Sequence, residues 1–124
     1  MDDRELIELA AKAAGLSVLT RKQAERDAFI GRENASLWIR DKSTAWNPLT
    51  SDGDAFGLMA RLGLDVQFSP EAVEVVAHQH ARMHGKEAVA PWAWESLLNL
   101  NDPTIATRRA IVRAAAALAT APAA

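Results

Sequence analysis

His78, His80 and His84 are the three histidines of the chain, and their spacing comes nearest to a metal site. On a strand, His78 and His80 would share a face; on a helix, His80 and His84 would, at i and i+4. Zinc asks for a third ligand, which Glu74 could supply, but the sequence holds no HExxH pattern and no second histidine pair. The missing ligands favour imidazoles on a polar edge. Asp52, Asp54 and Asp65 raise the question of magnesium. Asp52 and Asp54 fall at a predicted helix start, where negative charge is stabilised without any ion. No run supplies the regular oxygen ligands of a calcium loop.

Arg108, Arg109 and Arg113 form the one basic cluster worth naming. Arg109 and Arg113 are i, i+4 neighbours on a polar stripe, suited to phosphate or an acidic partner. Arg108 falls beside Ile105, Val112 and Ala115, so it must pair with a carboxylate or lie along an aromatic ring. The four tryptophans are Trp38, Trp46, Trp92 and Trp94, and tyrosine is absent. Trp46 and Trp94 read as core. Trp38 and Trp92 stay open between core and a stacking or partner-binding role. The candidate binding residues are therefore Arg108, Arg109, Arg113, Trp38 and Trp92. No catalytic, cofactor-binding or metal-binding residue is assigned. There is no Gly-rich phosphate loop, no GxSxG elbow and no reasoned pair of catalytic carboxylates.

Composition narrows the field further. A chain of 124 residues, 49% hydrophobic and 24% charged, suits one globular domain over 1–124. The net charge of −2 gives no global attraction to nucleic acid or anionic lipid, so such binding would need a local patch. Without cysteine there are no disulfides, no thiolate metal sites and no thiol nucleophile. The acidic start, MDDRELIELAAKAAG, does not resemble a signal peptide, and no apolar window approaches a membrane span. The expected address is the cytoplasm.

The elements that would position these residues are legible in part. Asp2, Asp3 and Glu5 open a first helix, which Gly15 ends, with Leu6, Leu9, Ala10, Ala13 and Ala14 as its apolar stripe. The charge-dense stretch TRKQAERDAFIGREN reads as a short surface helix or loop. Residues 35–41 alternate as a strand, Leu37 and Ile39 against Trp38 and Arg40. Ser51 and Asp54 make the acidic variant of a capping box for a helix buried through Ala55, Leu58, Met59 and Leu62, and Gly63 stops it. A short strand follows over 65–68. Residues 69–86 fit either a helix capped by Ser69 or a hairpin turning near His84, Gly85 and Lys86 with EAVAPWAWE as partner strand. The last helix is capped by Asp102, with Pro103 at N1, and its main apolar face is Ile105, Ile111, Val112, Ala115, Leu118 and Ala119. Ala106, Ala110, Ala114 and Ala117 make much of the remaining circumference apolar too. Such a helix is either buried, shared with a second copy, or simply alanine-rich at the surface.

Two segments together, WNPLTSDGDAFGLMARLGLDV over 46–66 and DPTIATRRAIVRAAAALA over 102–119, resemble small proteins of tailed bacteriophages and prophages, of the phage α-β-α sandwich domain type. The resemblance rests on Trp46, Asn47, Pro48, Asp52, Gly53 and Asp54, then on Asp102, Pro103, Arg108, Arg109 and Arg113. It covers about a third of the chain closely and omits 21–43 and the histidine stretch. It implies an α+β fold, a small mostly antiparallel sheet with helices packed on it, and a viral or proviral origin; it also tips 69–95 toward strands. It implies no reaction. The expectation is a non-enzymatic accessory protein, without cofactor, that binds a host or phage protein, for instance to inhibit a defence complex as anti-CRISPR proteins do. A nucleic-acid-binding module using Arg109 and Arg113 is the alternative, and a metal-dependent enzyme around His78 and His80 the remote one. A homodimer through the Ala-rich helix is a separate expectation.

Overall fold

The computed structural model describes residues 1–31, 33, 35–41, 45–69, 74–79, 92–96 and 102–120, with the backbone alone at 69, 74–79 and 92–96. Helix α1 (Asp3–Ala13) opens where the Asp2 carboxylate accepts the Glu5 N–H at 2.8 Å. It closes into Gly15, whose φ of +71° suits a residue without Cβ. Its buried face is Leu6, Ile7, Ala10 and Ala11, together with Arg4, and the C-cap residue Ala14 is buried as well. The expected stripe is thus rotated: Ile7 is fully enclosed, whereas Leu9 and Ala13 are half-buried. The helix that covers α1 decides which flank is hidden, and the period alone cannot show where that helix lies.

The charge-dense stretch is helical, α2 (Thr20–Ile30). Residues 35–41, expected as a strand, form only two isolated bridges, Val18 with Ile39 and Leu37 with Trp46. The alternation is as read, with Leu37 and Ile39 buried and Arg40 exposed. A ladder does not develop because each neighbour is met at a single pair, and Asp41 at φ +67° then turns the chain into the left-handed region.

Helix α3 (Asp52–Leu62) follows the capping logic closely. Ser51 Oγ accepts the Asp54 N–H at 3.2 Å, and Gly63 leaves the helix left-handed at φ +62°. Asp54 does not return to the cap residue itself; its carboxylate accepts the Asn47 N–H at 3.0 Å, while Asn47 Oδ1 accepts the Leu49 N–H. The Trp46-Asn47-Pro48 turn and the Asp52-Gly53-Asp54 helix start are therefore one hydrogen-bonded unit.

Strands β1 (Leu64–Ser69), β2 (Glu74–Gln79) and β3 (Trp92–Ser96) pair antiparallel in the order β1-β2-β3. The register sets Leu64 opposite Gln79, and His78 opposite both Asp65 and Trp92. Over the described residues the strand alternative for the histidine stretch is the one adopted, in keeping with the strand preference of Val75 and Val76. The expected turn at His84, Gly85 and Lys86, like His80 itself, lies outside the described residues.

Helix α4 (Pro103–Thr120) is the hub. It packs against α1, α3, β2 and β3. Ala106, Ala110, Val112, Ala114 and Ala115 are all 0% exposed. Most of the apolar circumference between Ala106 and Ala116 is therefore hidden within its own chain, and the surface-helix reading does not hold for that stretch. Ile105, expected on the main face, is instead 39% exposed. In order, the layers run strands, α4, α1, because a helix apolar nearly all round needs cover on more than one side. The chain is a helix-dominated α+β fold with its core in the cluster of α1, α3 and α4 with Leu37, Ile39, Trp46 and Leu64.

Asp102 caps α4 through the Thr104 Oγ–H at 2.7 Å and the Thr104 N–H at 2.8 Å. The Thr104 hydroxyl first, and the backbone N–H next, hold its carboxyl below the ordinary value of 3.8. Because the folded value is the lower one, the cap's contribution is complete above the unfolded value and fades as pH falls through the depressed one. In an NMR titration, Asp102 is expected to show a midpoint below 3.8 that rises toward it in Thr104→Ala. An unchanged midpoint in the variant would contradict the assignment to the hydroxyl.

Candidate functional site: an apolar cleft between α3, β1 and α4

Helix α3 carries two stripes. Ala55 and Leu58 go into the core, while Asp52, Phe56 and Met59 follow one another at helical spacing on the next flank. On α4, Thr104, Thr107, Arg108 and Ile111 line up in the same way. These two rows, with Phe68 of β1 and Pro103, enclose a cleft of about 360 Å³. Phe56 is 64% exposed and Phe68 56% exposed, and Ile105 stands exposed on the same helix as one wall. Large aromatic groups left in water cost hydration free energy that the fold does not recover internally.

The polar groups at this cleft are engaged elsewhere. Arg108 Nε donates to the Leu49 carbonyl at 2.8 Å, and its Nη1 meets Asp52 Oδ1 at 2.6 Å. Thr104 turns its hydroxyl to Asp102, and Thr107 donates to the Pro103 carbonyl at 2.6 Å. With hydroxyls and guanidinium so directed, the cleft presents mainly methyls and rings. It can take apolar side chains, and among the described residues its lining assembles no nucleophile and base.

Of the residues named from sequence, Arg108 occupies the ion pair foreseen for it, tying α4 to the turn that leads into α3. Arg109 is also paired, with Asp3 Oδ1 at 3.1 Å, and so tethers α4 to the start of α1. Arg113 is exposed on α4. Trp38 is half-buried, and its N–H donates to Gln23 Oε1 at 2.6 Å. Trp46 is core, at 4% exposed. Trp92 and Trp94 occupy alternate positions of β3, and their side chains lie outside the described residues, as do His80 and His84. The structure thus distributes Arg108, Arg109 and Trp38 to anchoring points on different elements. Among the described residues, no group of three or more His, Cys, Asp or Glu is placed to hold a metal ion.

Sequence reasoning missed Phe56 and Phe68 as surface residues. The signal was present for Phe56, a large aromatic lying off the stripe of Ala55, Leu58, Met59 and Leu62. It also missed a second polar centre. Arg4, only 4% exposed, makes a two-pronged pair with Asp27 of α2 at 2.7 and 3.0 Å. That pairing, chiefly its hydrogen bonds, raises the Arg4 pKa above the usual guanidinium value. Nothing local announces a partner 23 positions away. Among the described residues no helix is long and apolar enough to cross a membrane. No family model matches this chain, and no curated protein or solved structure does either.

Proposed function

We propose that this chain is a non-enzymatic accessory module that binds another protein through the cleft between α3, β1 and α4. The single observation that carries this reading is the exposure of Phe56 and Phe68 around an apolar cleft whose polar groups are satisfied internally. Interface anchors are typically aromatic and seated beside such pockets. The engagement of Arg108 and Arg109 in ion pairs within the chain speaks for an apolar contact over a phosphate-reading one.

The resemblance of 46–66 and 102–119 to phage and prophage proteins supports a host protein or defence complex as the target class, met in the bacterial cytoplasm. At the level of fold, the resemblance also suggests an α-β-α sandwich-like arrangement. The packing of α4 on β2 and β3 supports the helical cover of one strand face.

The test compares the proteins that wild-type chain and a Phe56→Glu/Phe68→Glu variant retain from nuclease-treated bacterial lysate. A protein held by the wild type and lost at least about tenfold in the variant is expected, since aromatic anchors each contribute about 2 kcal/mol. The variant should stay within about 1 kcal/mol of wild-type stability, because both residues are more than half exposed. Equal retention by both chains would remove the cleft from the function.

A further inference from the structure

Helix α2 is docked without a hydrophobic face. Among its described residues, Thr20–Ile30, only Gln23 is buried, while Phe29 is 90% exposed and Ile30 41% exposed. A helix polar all round is not held by burial of an apolar stripe. Polar contacts hold this one. Asp27 accepts both Nη groups of Arg4 and the Gln23 Nε2–H at 2.9 Å. Gln23 Oε1 accepts the Trp38 N–H at 2.6 Å, and Arg26 donates to the Ser36 carbonyl at 3.0 Å.

Between α1 and α2 lies an open cleft of about 630 Å³. Its walls include Ala11, Leu16, Val18 and Leu37 opposite Thr20, Gln23, Ala24 and Asp27 of α2, so the polar helix flanks partly apolar ground. Both ends of α2 are suited to a change of direction. Leu19, the residue before the helix, makes no side-chain cap, although its N–H is anchored to the Trp38 carbonyl at 2.9 Å. Gly31 sits at φ 87° and ψ 154°, a conformation open essentially to glycine alone. The helix is thus bounded by an anchored pivot on one side and a glycine on the other.

We infer that α2 is a latched flap: it opens as a unit about Leu19 and Gly31, with the Arg4–Asp27–Gln23 network as the latch, while α1, α3 and α4 stay folded. The difference from those helices is physical. Opening α1 or α4 would expose enclosed Ile7, Val112 and a row of alanines. Opening α2 exchanges a few hydrogen bonds for water and lets the Arg4 guanidinium hydrate, so no charge is left buried and alone. The open form widens the cleft that α2 now borders.

Native-state hydrogen exchange on the whole chain tests this. Amides of α2 are expected to exchange with one common rate, faster than those of α4 by about a hundredfold or more, and with little dependence on sub-denaturing urea. Asp27→Asn should speed α2 exchange about tenfold or more, as loss of charge-assisted hydrogen bonds implies, and leave α4 exchange unchanged. Equal protection and equal urea slopes for α2 and α4 would overturn the flap. So would an Asp27→Asn chain that fails to fold or that raises exchange in α2 and α4 by the same factor, because the effect must be local.

Discussion

Trp46→Ala is expected to lower the free energy of unfolding by about 4 kcal/mol, near the upper range for removal of a buried aromatic ring. Trp46 is 4% exposed and belongs to the core cluster. Its backbone also exchanges two hydrogen bonds with Leu37, at 2.7 and 2.8 Å, so the ring is held in place by a bridged turn that cannot follow it inward. A hollow of about 230 Å³ already lies beside it, lined by Leu58, Gly57 and Arg61 among others. The space left by the ring would join that hollow instead of closing, and sites that cannot collapse show the larger losses. Trp46→Phe keeps most of the fill and should cost less than half as much. Urea unfolding followed by circular dichroism measures both. A loss below about 1 kcal/mol for Trp46→Ala would mean that the ring does not fill the core as described.

The second large effect is expected from adding atoms. Ala110→Leu should destabilise by about 3 kcal/mol, a substantial part of the 5–15 kcal/mol typical of a domain. Among the described residues, helices α1 and α4 make the most extensive helix pairing, and both carry buried alanines: Ala10 and Ala11 on one, Ala106, Ala110 and Ala114 on the other. Such small residues allow close approach of backbones, and a leucine at a fully enclosed position must push the helices apart. At this chain length the midpoint of thermal unfolding should fall by roughly 10 °C. Ala60→Leu, on the exposed side of α3, serves as the comparison and should stay within about 0.5 kcal/mol of wild type. The same variant bears on self-association. A helix that gave its alanines to a second copy would respond to Ala110→Leu in sedimentation, with the unfolding of the single chain largely unaltered.

The ends of the helices were legible from sequence because they depend on neighbours three or four residues apart. Asp2, Ser51 and Asp102 cap as their types require, and Gly15 and Gly63 leave their helices left-handed. The choice between hairpin and helix for the histidine stretch was not legible, since 3.6 and 2 residue periods both fit so short an apolar run. Strand pairing with β1 supplied the missing information. For 35–41 the alternation was visible and its consequence was not: a strand needs a continuous neighbour, and Val18 and Trp46 each offer one pair.

Local chemistry in the sequence determined where helices α1 and α3 begin and end, and where α4 begins. Tertiary structure alone decided which flank of α1 is enclosed, that α4 is buried inside its own chain, and that Phe56 and Phe68 stand in water around a cleft. It alone joined Arg4 to Asp27, Arg108 to Asp52 and Arg109 to Asp3. The reason is range. Caps and stops act over a few bonds and are encoded next to the residues they serve, whereas burial and ion pairing depend on what another part of the chain brings alongside.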